Sequence, residues 1–379
     1  MHSDPDAQSR VFGAETARVN QFCRRSHVSF GPLLVCLLLG GVPGILQAQD
    51  TAAFVDVSIR VFEPVAADTA DASAGAPDDS LSPEAVRLAE VRYMPMHLRY
   101  HLEATARFGA VRVLPLLDNG AELMIEGRIL ASDQFRLELA ITARDSTGRL
   151  WLDQHYSGQA VSSASLTENP QLDDDFAEVY RAIARDLGAV LDTLAPADLR
   201  EIETLALLRY GAGLAPQRFA DYIGADNGRY RALRLPAVDD PLLVRIEAIR
   251  EREFLFIDVV DEEYSRFHAD IKPVYDMWRE YRRETADSAA ARTQREATEP
   301  SQFPRGSYYA LQENYNNYRW AKLQELYLDE LSEGFENETA PTEIELSDSL
   351  YRLTGTMEQQ YREWRSILAE LYALEAGGL

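Results

Sequence analysis

The stretch Ala121–Ala160, AELMIEGRILASDQFRLELAITARDSTGRLWLDQHYSGQA, decides the fold of the first half of the chain. Within it, the run from Phe135 to Thr142 alternates large apolar residues with mostly polar ones. A period of two places successive side chains on opposite faces of a strand, so the run predicts a strand with one buried face. Each buried apolar side chain contributes roughly 1.5–3 kcal/mol, which holds such a strand against a core.

Turn residues divide this stretch into three strands. A strand beginning near Leu123 ends at Ser132-Asp133, and Asp145–Gly148 separates the central strand from a third one over Arg149–Tyr156. Ser, Asp, Thr and Gly favour tight turns between strands. Three consecutive strands with short connections predict an antiparallel meander.

The amino terminus has the composition of an export signal, which we expect over residues 1–48. A polar segment ends in Arg24-Arg25, an apolar segment covers Phe30–Leu46, and Leu46-Gln47-Ala48 fits a cleavage site. We therefore expect cleavage after Ala48 and a periplasmic protein. An uncleaved inner-membrane anchor is an alternative, although Gly40-Gly41 disfavours a spanning helix.

Composition narrows the class of protein. Both cysteines, Cys23 and Cys36, lie in the predicted leader, so the mature chain would have no disulfide, no thiol nucleophile and no thiolate metal site. Without the leader's four arginines and three acidic residues, 34 basic and 59 acidic residues remain, a net charge of −25. Such a chain repels phosphate backbones, so we expect no nucleic-acid partner.

Residues 49–195 predict an α+β domain with the order β-α-β-β-β-α. A strand over Phe54–Phe62 precedes an acidic, Ala- and Pro-rich loop at 63–82. Ser82-Pro83-Glu84 then starts a helix that runs to about Arg107, since Ser favours the N-cap and Pro the first helical position. A short strand over Ala110–Pro115, the meander and an amphipathic helix over Phe176–Leu194 complete the domain.

Three stretches of this domain carry a family resemblance: Phe108–Val113, Ala121–Ile129 and Arg144–Trp151. With the order of elements, they resemble the small α+β domain of the TolB amino-terminal region and of CsgG-, LpoB- and FlgO-type bacterial envelope proteins. The resemblance implies a role in envelope assembly, secretion or regulation through protein contacts, and it supplies no catalytic residue. The chain departs from these proteins in its acidic loop and in lacking a lipobox.

Residues 196–379 predict a helical bundle or a coiled-coil-like domain. Asp198 with Glu201 favours one helix start, Asp240-Pro241 another, and Ala215–Asp239 has the breakers of an irregular segment. A heptad pattern then indicates a possible interaction seam. Its residues are Ile257, Val260, Tyr264, Phe267, Ile271, Val274, Trp278 and Tyr281. A narrow apolar stripe serves packing within one chain and between chains alike.

The last part of the chain predicts a linker and two further helices. Glu284–Pro304 is polar, a helix follows from Tyr308 to about Leu331, and Thr342 with Glu345 offers a capping box for the final helix.

No residue pattern in the sequence indicates a catalytic or metal-binding site. His97 and His101 are four apart on a predicted helix, but no metal-binding or nucleophile motif accompanies them, so a solvated helix surface is the simpler interpretation. Two acidic clusters lack the spacing of a calcium loop: Asp173–Asp175 and Glu262-Glu263. We expect both clusters to be exposed to solvent. We expect no metal and no cofactor.

These observations favour a non-enzymatic, exported envelope protein that acts as an assembly, scaffold or regulatory module. Its partner would be another envelope protein or a second copy, with a membrane contact only if the amino-terminal segment is uncleaved. Two alternatives stay open: an envelope hydrolase with a carboxylate site between the two domains, and a periplasmic protein tethered to the inner membrane.

Overall fold

A computed structural model describes residues 54–64, 84–161, 169–235, 237, 240–298, 341–346 and 349–377, with single positions between 315 and 330. The strands are β1 (Val57–Arg60), β2 (Val111–Leu114), β3 (Leu123–Ser132), β4 (Arg136–Asp145), β5 (Leu150–Gln159), β6 (Ile223–Asp226), β7 (Arg229–Ala232), β8 (Thr342–Leu346) and β9 (Ser349–Leu353). The helices are α1 (Glu84–Ala104), α2 (Ala177–Leu191), α3 (Pro196–Leu214), α4 (Pro216–Phe219), α5 (Pro241–Thr298) and α6 (Met357–Gly377). The predicted export signal, most of the acidic loop and most of the helix predicted from Tyr308 lie outside the described residues.

Strands β1 to β5 form one mixed sheet in the order β2-β1-β3-β4-β5. The predicted meander is present as antiparallel β3, β4 and β5. Strand β1 runs parallel to both of its neighbours, and Val57 pairs with Val111 on one side and with Leu123 on the other. The first strand of the sequence therefore lies inside the sheet, between β2 and the meander.

One face of the sheet forms the core. Ile59, Ile125 and Leu139 are fully buried there, whereas the alternate positions Glu126 and Ala140 keep part of their surface exposed. Helix α1 contacts β1 and β2, and α2 contacts β5 and α1, so both helices cover this apolar face. The opposite face carries polar side chains, as the period of two requires.

Helix α5 covers the β2 edge of the sheet. The Val113 N–H donates a 3.0 Å hydrogen bond to a carboxylate oxygen of Asp261. The Arg112 guanidinium forms a 3.0 Å ion pair with Asp258 and lies 4.9 Å from the ring centroid of Phe254. An unpaired N–H on an edge strand invites pairing with another strand, and here a helix side chain occupies it.

The predicted interaction seam closes within the chain. Six of its residues are buried: Ile257, Val260, Tyr264, Phe267, Ile271 and Trp278. Val274 and Tyr281 are half-buried. Phe267, Ile271 and Trp278 share an apolar cluster with Val86 and Tyr93 of α1. A partner would therefore have to displace α1 to reach these side chains, and the free surfaces of the protein lie elsewhere.

A buried polar network also joins α5 to the sheet domain. The Tyr275 hydroxyl donates a 2.5 Å hydrogen bond to the Glu90 carboxylate, and the Ser132 hydroxyl donates another at 2.6 Å. Arg279 lies 3.9 Å from the same carboxylate and 4.2 Å from the ring centroid of Phe176. Burial raises the pKa of Glu90, and the Arg279 charge opposes that increase.

Within the segment predicted to be irregular, residues 216–219 form the short helix α4 and residues 223–232 form the β6–β7 hairpin. Asn227 and Gly228 occupy the turn with φ values of 49° and 77°. Two consecutive positive φ angles are typical of a type I′ turn, for which Asn-Gly is the strongest sequence signal. Gly224 and Pro236 favour irregular structure in a sequence, so they led to the prediction of a loop in place of a hairpin.

The sequence predicted that the final helix begins near Thr342, and this prediction was wrong. Strand β8 pairs with β9, so Thr342 lies opposite Leu353 rather than capping a helix. Thr342, Ile344 and Leu346 are buried while the glutamates between them are exposed, which is a period of two. A run of five residues is too short for this alternation to outweigh the helical spacing of the leucines that follow, so the sequence favoured a helix.

The capping box of the last helix lies further along, at Thr356 and Gln359. The Gln359 N–H donates to the Thr356 hydroxyl at 3.3 Å, and the Gln359 side chain accepts from the Thr356 N–H at 3.0 Å. This reciprocal pair is what a capping box requires, and α6 begins at Met357.

The predicted fold class is confirmed: an α+β amino-terminal part with a five-stranded mixed sheet precedes a largely helical part. Contacts group residues 51–379 into one compact unit, in which α5 packs on α1 and β2. Among the described residues, every helix is too short or too polar to span a bilayer.

Candidate functional site

Charged side chains follow three neighbouring strands on the polar face of the sheet. Strand β1 supplies Arg60, β3 supplies Glu126 and Arg128, and β4 supplies Thr142 and Arg144. Glu126 lies directly opposite Thr142 in the ladder. Because the intervening residues of each strand are committed to the core, alternation places these polar groups together on the other face.

Two adjoining cavities form a trough along this face. One, of about 370 Å³, includes Arg60, and the other, of about 410 Å³, includes Arg209 and Tyr230. Glu126 and Arg144 line both cavities, so the two spaces adjoin each other. We call this surface the trough and define it by Arg60, Glu126, Arg128, Arg144 and Arg209.

The β6–β7 hairpin closes one end of the trough. The Tyr230 N–H donates a 2.8 Å hydrogen bond to the Thr147 carbonyl, and the Arg209 guanidinium lies 4.2 Å from the Tyr230 ring centroid. A Cβ at Gly148 would lie only 2.0 Å from the Gly228 carbonyl oxygen, and the φ of Gly148 is +78°. Glycine at this turn therefore serves both the tight connection of β4 to β5 and the seating of the hairpin.

Two arginines of the trough have unused hydrogen-bond donors. Arg128 and Arg144 are exposed, and neither forms an ion pair or a side-chain hydrogen bond within the described part of the chain. Arg60 differs, because it pairs with Glu63 at 3.3 Å and with Glu126 at 3.6 Å. The guanidinium groups of Arg128 and Arg144 are thus available to an external acceptor.

The register of the strands sets the spacing of this arginine pair. Arg144 lies opposite Met124, which is four residues from Arg128 along β3. At about 3.3 Å per residue, the two Cα atoms are separated by roughly 13 Å along the strand direction. An extended segment with two carboxylates four residues apart matches this separation. Each guanidinium can bind one carboxylate through two parallel hydrogen bonds.

Sequence reasoning missed the trough. The alternating patterns that identified β1, β3 and β4 also contained its signal, in the arginines at the outward positions 60, 128 and 144. Those positions fall on one surface only after β1 is placed beside β3. The β6–β7 hairpin and Arg209 of α3 join them through tertiary packing.

The carboxyl group of Glu122 lies in a closed site beside β1. Burial raises the pKa of Glu122 to about 7, and its carboxylate accepts a 2.9 Å hydrogen bond from the Asp56 N–H. The cavity beside it has a volume of about 10 Å³, room for about one water molecule. A hydrolase pocket needs about 300 Å³ or more for its substrate. This carboxyl group therefore does not face a substrate-sized space.

Glu253 of α5 is a second buried carboxyl group, and it joins two helices. It accepts a 2.9 Å hydrogen bond from the Tyr361 hydroxyl and lies 3.5 Å from Arg365 Nε, both on α6. Burial raises the pKa of Glu253, the nearby charge of Asp118 adds to the increase, and Arg365 opposes it. The contacts of Glu253 are those of a helix-packing residue.

His97 and His101 are buried in α1, and the expectation of a solvated helix surface was wrong. His97 Nε2 lies 3.2 Å from His268 Nε2 of α5 and 3.7 Å from Asp174 Oδ2. Burial lowers the pKa of His97 well below its usual value, that of His101 to about 4 and that of His268 to about 2. These imidazoles are neutral at pH 7, and one N–H···N hydrogen bond accounts for the contact of His97 with His268.

The acidic groups flagged in the sequence differ in their surroundings. Asp173 and Asp175 contact α5 instead of forming a solvated face: the Asp173 carbonyl accepts from Lys272 Nζ at 2.7 Å, and Asp175 forms an ion pair with Arg283. Glu263 forms a 2.7 Å ion pair with Arg266 on the surface of α5. In the part of the chain that the structure describes, no three His, Cys, Asp or Glu side chains converge to hold a metal ion.

Comparison with protein-family models, with curated proteins and with solved structures finds no match for this chain. The resemblance to TolB-, CsgG-, LpoB- and FlgO-type domains stays a prediction.

Proposed function

We propose that this chain is a non-enzymatic, exported envelope protein that binds a partner protein through the trough. The observation that carries the proposal is the pair of exposed guanidinium groups of Arg128 and Arg144, which have no ion pair or side-chain hydrogen bond within the described residues. The lining of the trough carries four arginines and four acidic residues, so its charges balance within a chain whose net charge is −24.

The chemistry of the trough favours an acidic, extended segment as the ligand. A trough along a sheet accommodates an extended backbone, and the separation of the arginines matches carboxylates four residues apart. Arg60 and Glu126 already pair with each other at 3.6 Å, and they provide further polar groups in the lining of the trough. Direct charge pairs would select the partner and set its register.

The proposal that the protein is exported depends on the predicted signal at residues 1–48. The polar segment with Arg24-Arg25, the apolar segment and the Leu46-Gln47-Ala48 site support secretion and a periplasmic location for the mature chain. The partner would then be another protein of the cell envelope.

A binding role also agrees with where the perturbed carboxyl groups lie. Glu253 is committed to α6, and Glu122 adjoins a space for about one water molecule. An alternative hydrolase would need a substrate-sized cavity at one of these groups, and the two cavities of the trough, of about 370 and 410 Å³, adjoin Arg144 instead.

The test is site-specific crosslinking in the cell. A photo-reactive amino acid replaces Thr142, which lines the trough, and crosslinked products are identified by mass spectrometry. In a second chain, Arg128→Glu and Arg144→Glu are added. We expect a discrete crosslinked partner with the first chain and its loss with the second, because the substitutions place like charges against the carboxylates of the partner.

The matched control reverses two exposed arginines of α2, Arg181→Glu and Arg185→Glu, which changes net charge equally at a distant surface. These side chains are 52% and 74% exposed. The control should retain the crosslinked product. A product that survives reversal in the trough, or that disappears equally in the control, would contradict the proposal.

A further inference from the structure

Among the described elements, β5 has no strand beside its outer edge. It packs against β4 and α2. Asp153, Gln154 and His155 are all exposed at the middle of the strand. This edge adjoins the trough, because the Asp153 carboxylate accepts a 3.4 Å hydrogen bond from the Thr142 hydroxyl, and Thr142 lines the trough. The proposed binding of an acidic segment uses Arg128 and Arg144 instead.

The register shows which backbone groups face outward. The Ala160 N–H donates a 2.8 Å hydrogen bond to the Phe135 carbonyl, and Ile141 lies opposite Gln154 in the same ladder. Hydrogen-bonded and non-hydrogen-bonded pairs alternate along an antiparallel ladder, so even-numbered residues of β5 bond to β4. The N–H and C=O groups of Asp153 and His155 therefore point away from the sheet, and no described backbone group bonds to them.

The sequence of this edge is complementary to itself. If two β5 strands meet antiparallel with Gln154 at the two-fold axis, Asp153 of each copy lies opposite His155 of the other. Outward-facing residues then face each other as hydrogen-bonded pairs, and Gln154 forms the non-hydrogen-bonded pair between them. An imidazole N–H can donate to the opposite carboxylate, and opposed complementary side chains stabilise a strand pair.

We propose that a second copy of this chain pairs with the outer edge of β5, with the two-fold axis at Gln154. The two five-stranded sheets become one continuous sheet of ten strands. Two symmetric Asp153–His155 contacts between the copies set the register. Each contact joins a carboxylate to an imidazole N–H. Such complementary contacts oppose the repulsion between two chains that each have a net charge of −24.

Disulfide trapping in the full chain tests the register. Cys23 and Cys36 are first replaced by serine, and Gln154→Cys is added. The two Cα atoms of a non-hydrogen-bonded pair lie about 4.5 Å apart, within the reach of a disulfide. We expect a covalent dimer under mild oxidation. Ser157→Cys is the matched control, because two such residues would lie roughly 20 Å apart along the strands.

A charge swap tests the contact itself. Asp153→His places two imidazoles opposite each other, and His155→Asp places two carboxylates opposite each other, so each single variant should weaken the dimer roughly tenfold in sedimentation experiments. The double variant restores one carboxylate opposite one imidazole at both contacts. We expect it to recover the dimer.

A proline tests the backbone pairing. His155→Pro removes an N–H that faces outward and leaves the bonds to β4 in place, a position where strands tolerate proline. The variant should keep the circular dichroism spectrum of the parent and become monomeric, whereas His155→Thr should stay dimeric. A monomeric parent chain, a disulfide at Ser157→Cys but not at Gln154→Cys, or a proline variant that still dimerises would overturn the proposal.

Discussion

The two edges of the five-stranded sheet have opposite surroundings. At the β2 edge, α5 lies alongside the strand and Asp261 accepts the Val113 N–H at 3.0 Å. At the β5 edge, Asp153 and His155 are exposed and their backbone groups have no described partner. A covered edge contributes to the stability of the fold, whereas an open edge is available for pairing. The helical part of the chain thus protects one side of the sheet and leaves the other for contacts.

The largest effect is expected where α5 packs on α1. Trp278 is 1% exposed in this interface, so Trp278→Ala should lower the free energy of unfolding by about 3–5 kcal/mol. Urea denaturation measures the change. The neighbouring Met277 is 42% exposed, and Met277→Ala should stay within about 0.5 kcal/mol of the parent. Equal effects of the two substitutions would show that Trp278 is not buried between α5 and α1.

Proline at each edge sharpens the comparison directly. Val113→Pro removes the N–H that Asp261 accepts and leaves that buried carboxylate with one donor fewer, which should cost about 2–3 kcal/mol. His155→Pro removes an outward N–H at the open edge and should change the unfolding free energy of the monomer by less than about 0.5 kcal/mol. Denaturation of both variants at a low protein concentration gives the two values. A similar loss at the two edges would contradict the assignment of β5 as open.

The pH dependence of stability tests the covered side in another way. Burial lowers the pKa of His268 to about 2, whereas in the unfolded chain this imidazole takes up a proton below about pH 6.5. The unfolded state then binds more protons, so the parent loses about 1.4 kcal/mol for each pH unit below that value through this residue. In His268→Asn this loss is absent, and the stability gap between parent and variant should narrow from about pH 6 to pH 4.

The comparison with the variant is needed because buried carboxyl groups have the opposite effect on the pH dependence of stability. Burial raises the pKa of Glu253 in the folded state, so that group favours the folded state as the pH falls. Parallel denaturation series at several pH values isolate the contribution of His268. A gap that stays constant with pH would contradict a neutral, buried His268.

The smallest effect on stability is expected at the open polar face. Arg128 and Arg144 are exposed and have no ion pair within the described residues, so replacing both with alanine should change the free energy of unfolding by less than about 0.5 kcal/mol. The same double variant should lose the crosslink from Thr142 to its partner. A large loss of stability would show that these arginines support the fold.

Patterns with a local cause could be predicted from the sequence. The alternation from Phe135 to Thr142 and the turn at Asp145–Gly148 specified β4 and its connection to β5, because side-chain period and turn geometry depend on neighbouring residues alone. The Asn227-Gly228 turn has an equally local signal. It was outweighed by the glycine and proline that surround it.

The heptad seam shows where sequence reasoning ends. Its spacing correctly indicates that Ile257, Tyr264 and Ile271 are buried on one side of a helix. It does not indicate what covers them, because an apolar stripe gains the same transfer free energy against any apolar surface. Only the tertiary structure places α1 and the sheet against this stripe.

By itself, the sequence determined the fold class, the meander and the buried side of α5, since each depends on the periodicity of apolar residues. The tertiary structure decided which surfaces stay free. Arg128 and Arg144 lie on one face because β3 pairs with β4 in a particular register. Helix α5 covers the β2 edge, and among the described elements no strand pairs with the outer edge of β5. Contacts between residues far apart in the chain follow from the packing of whole elements, which no local pattern encodes.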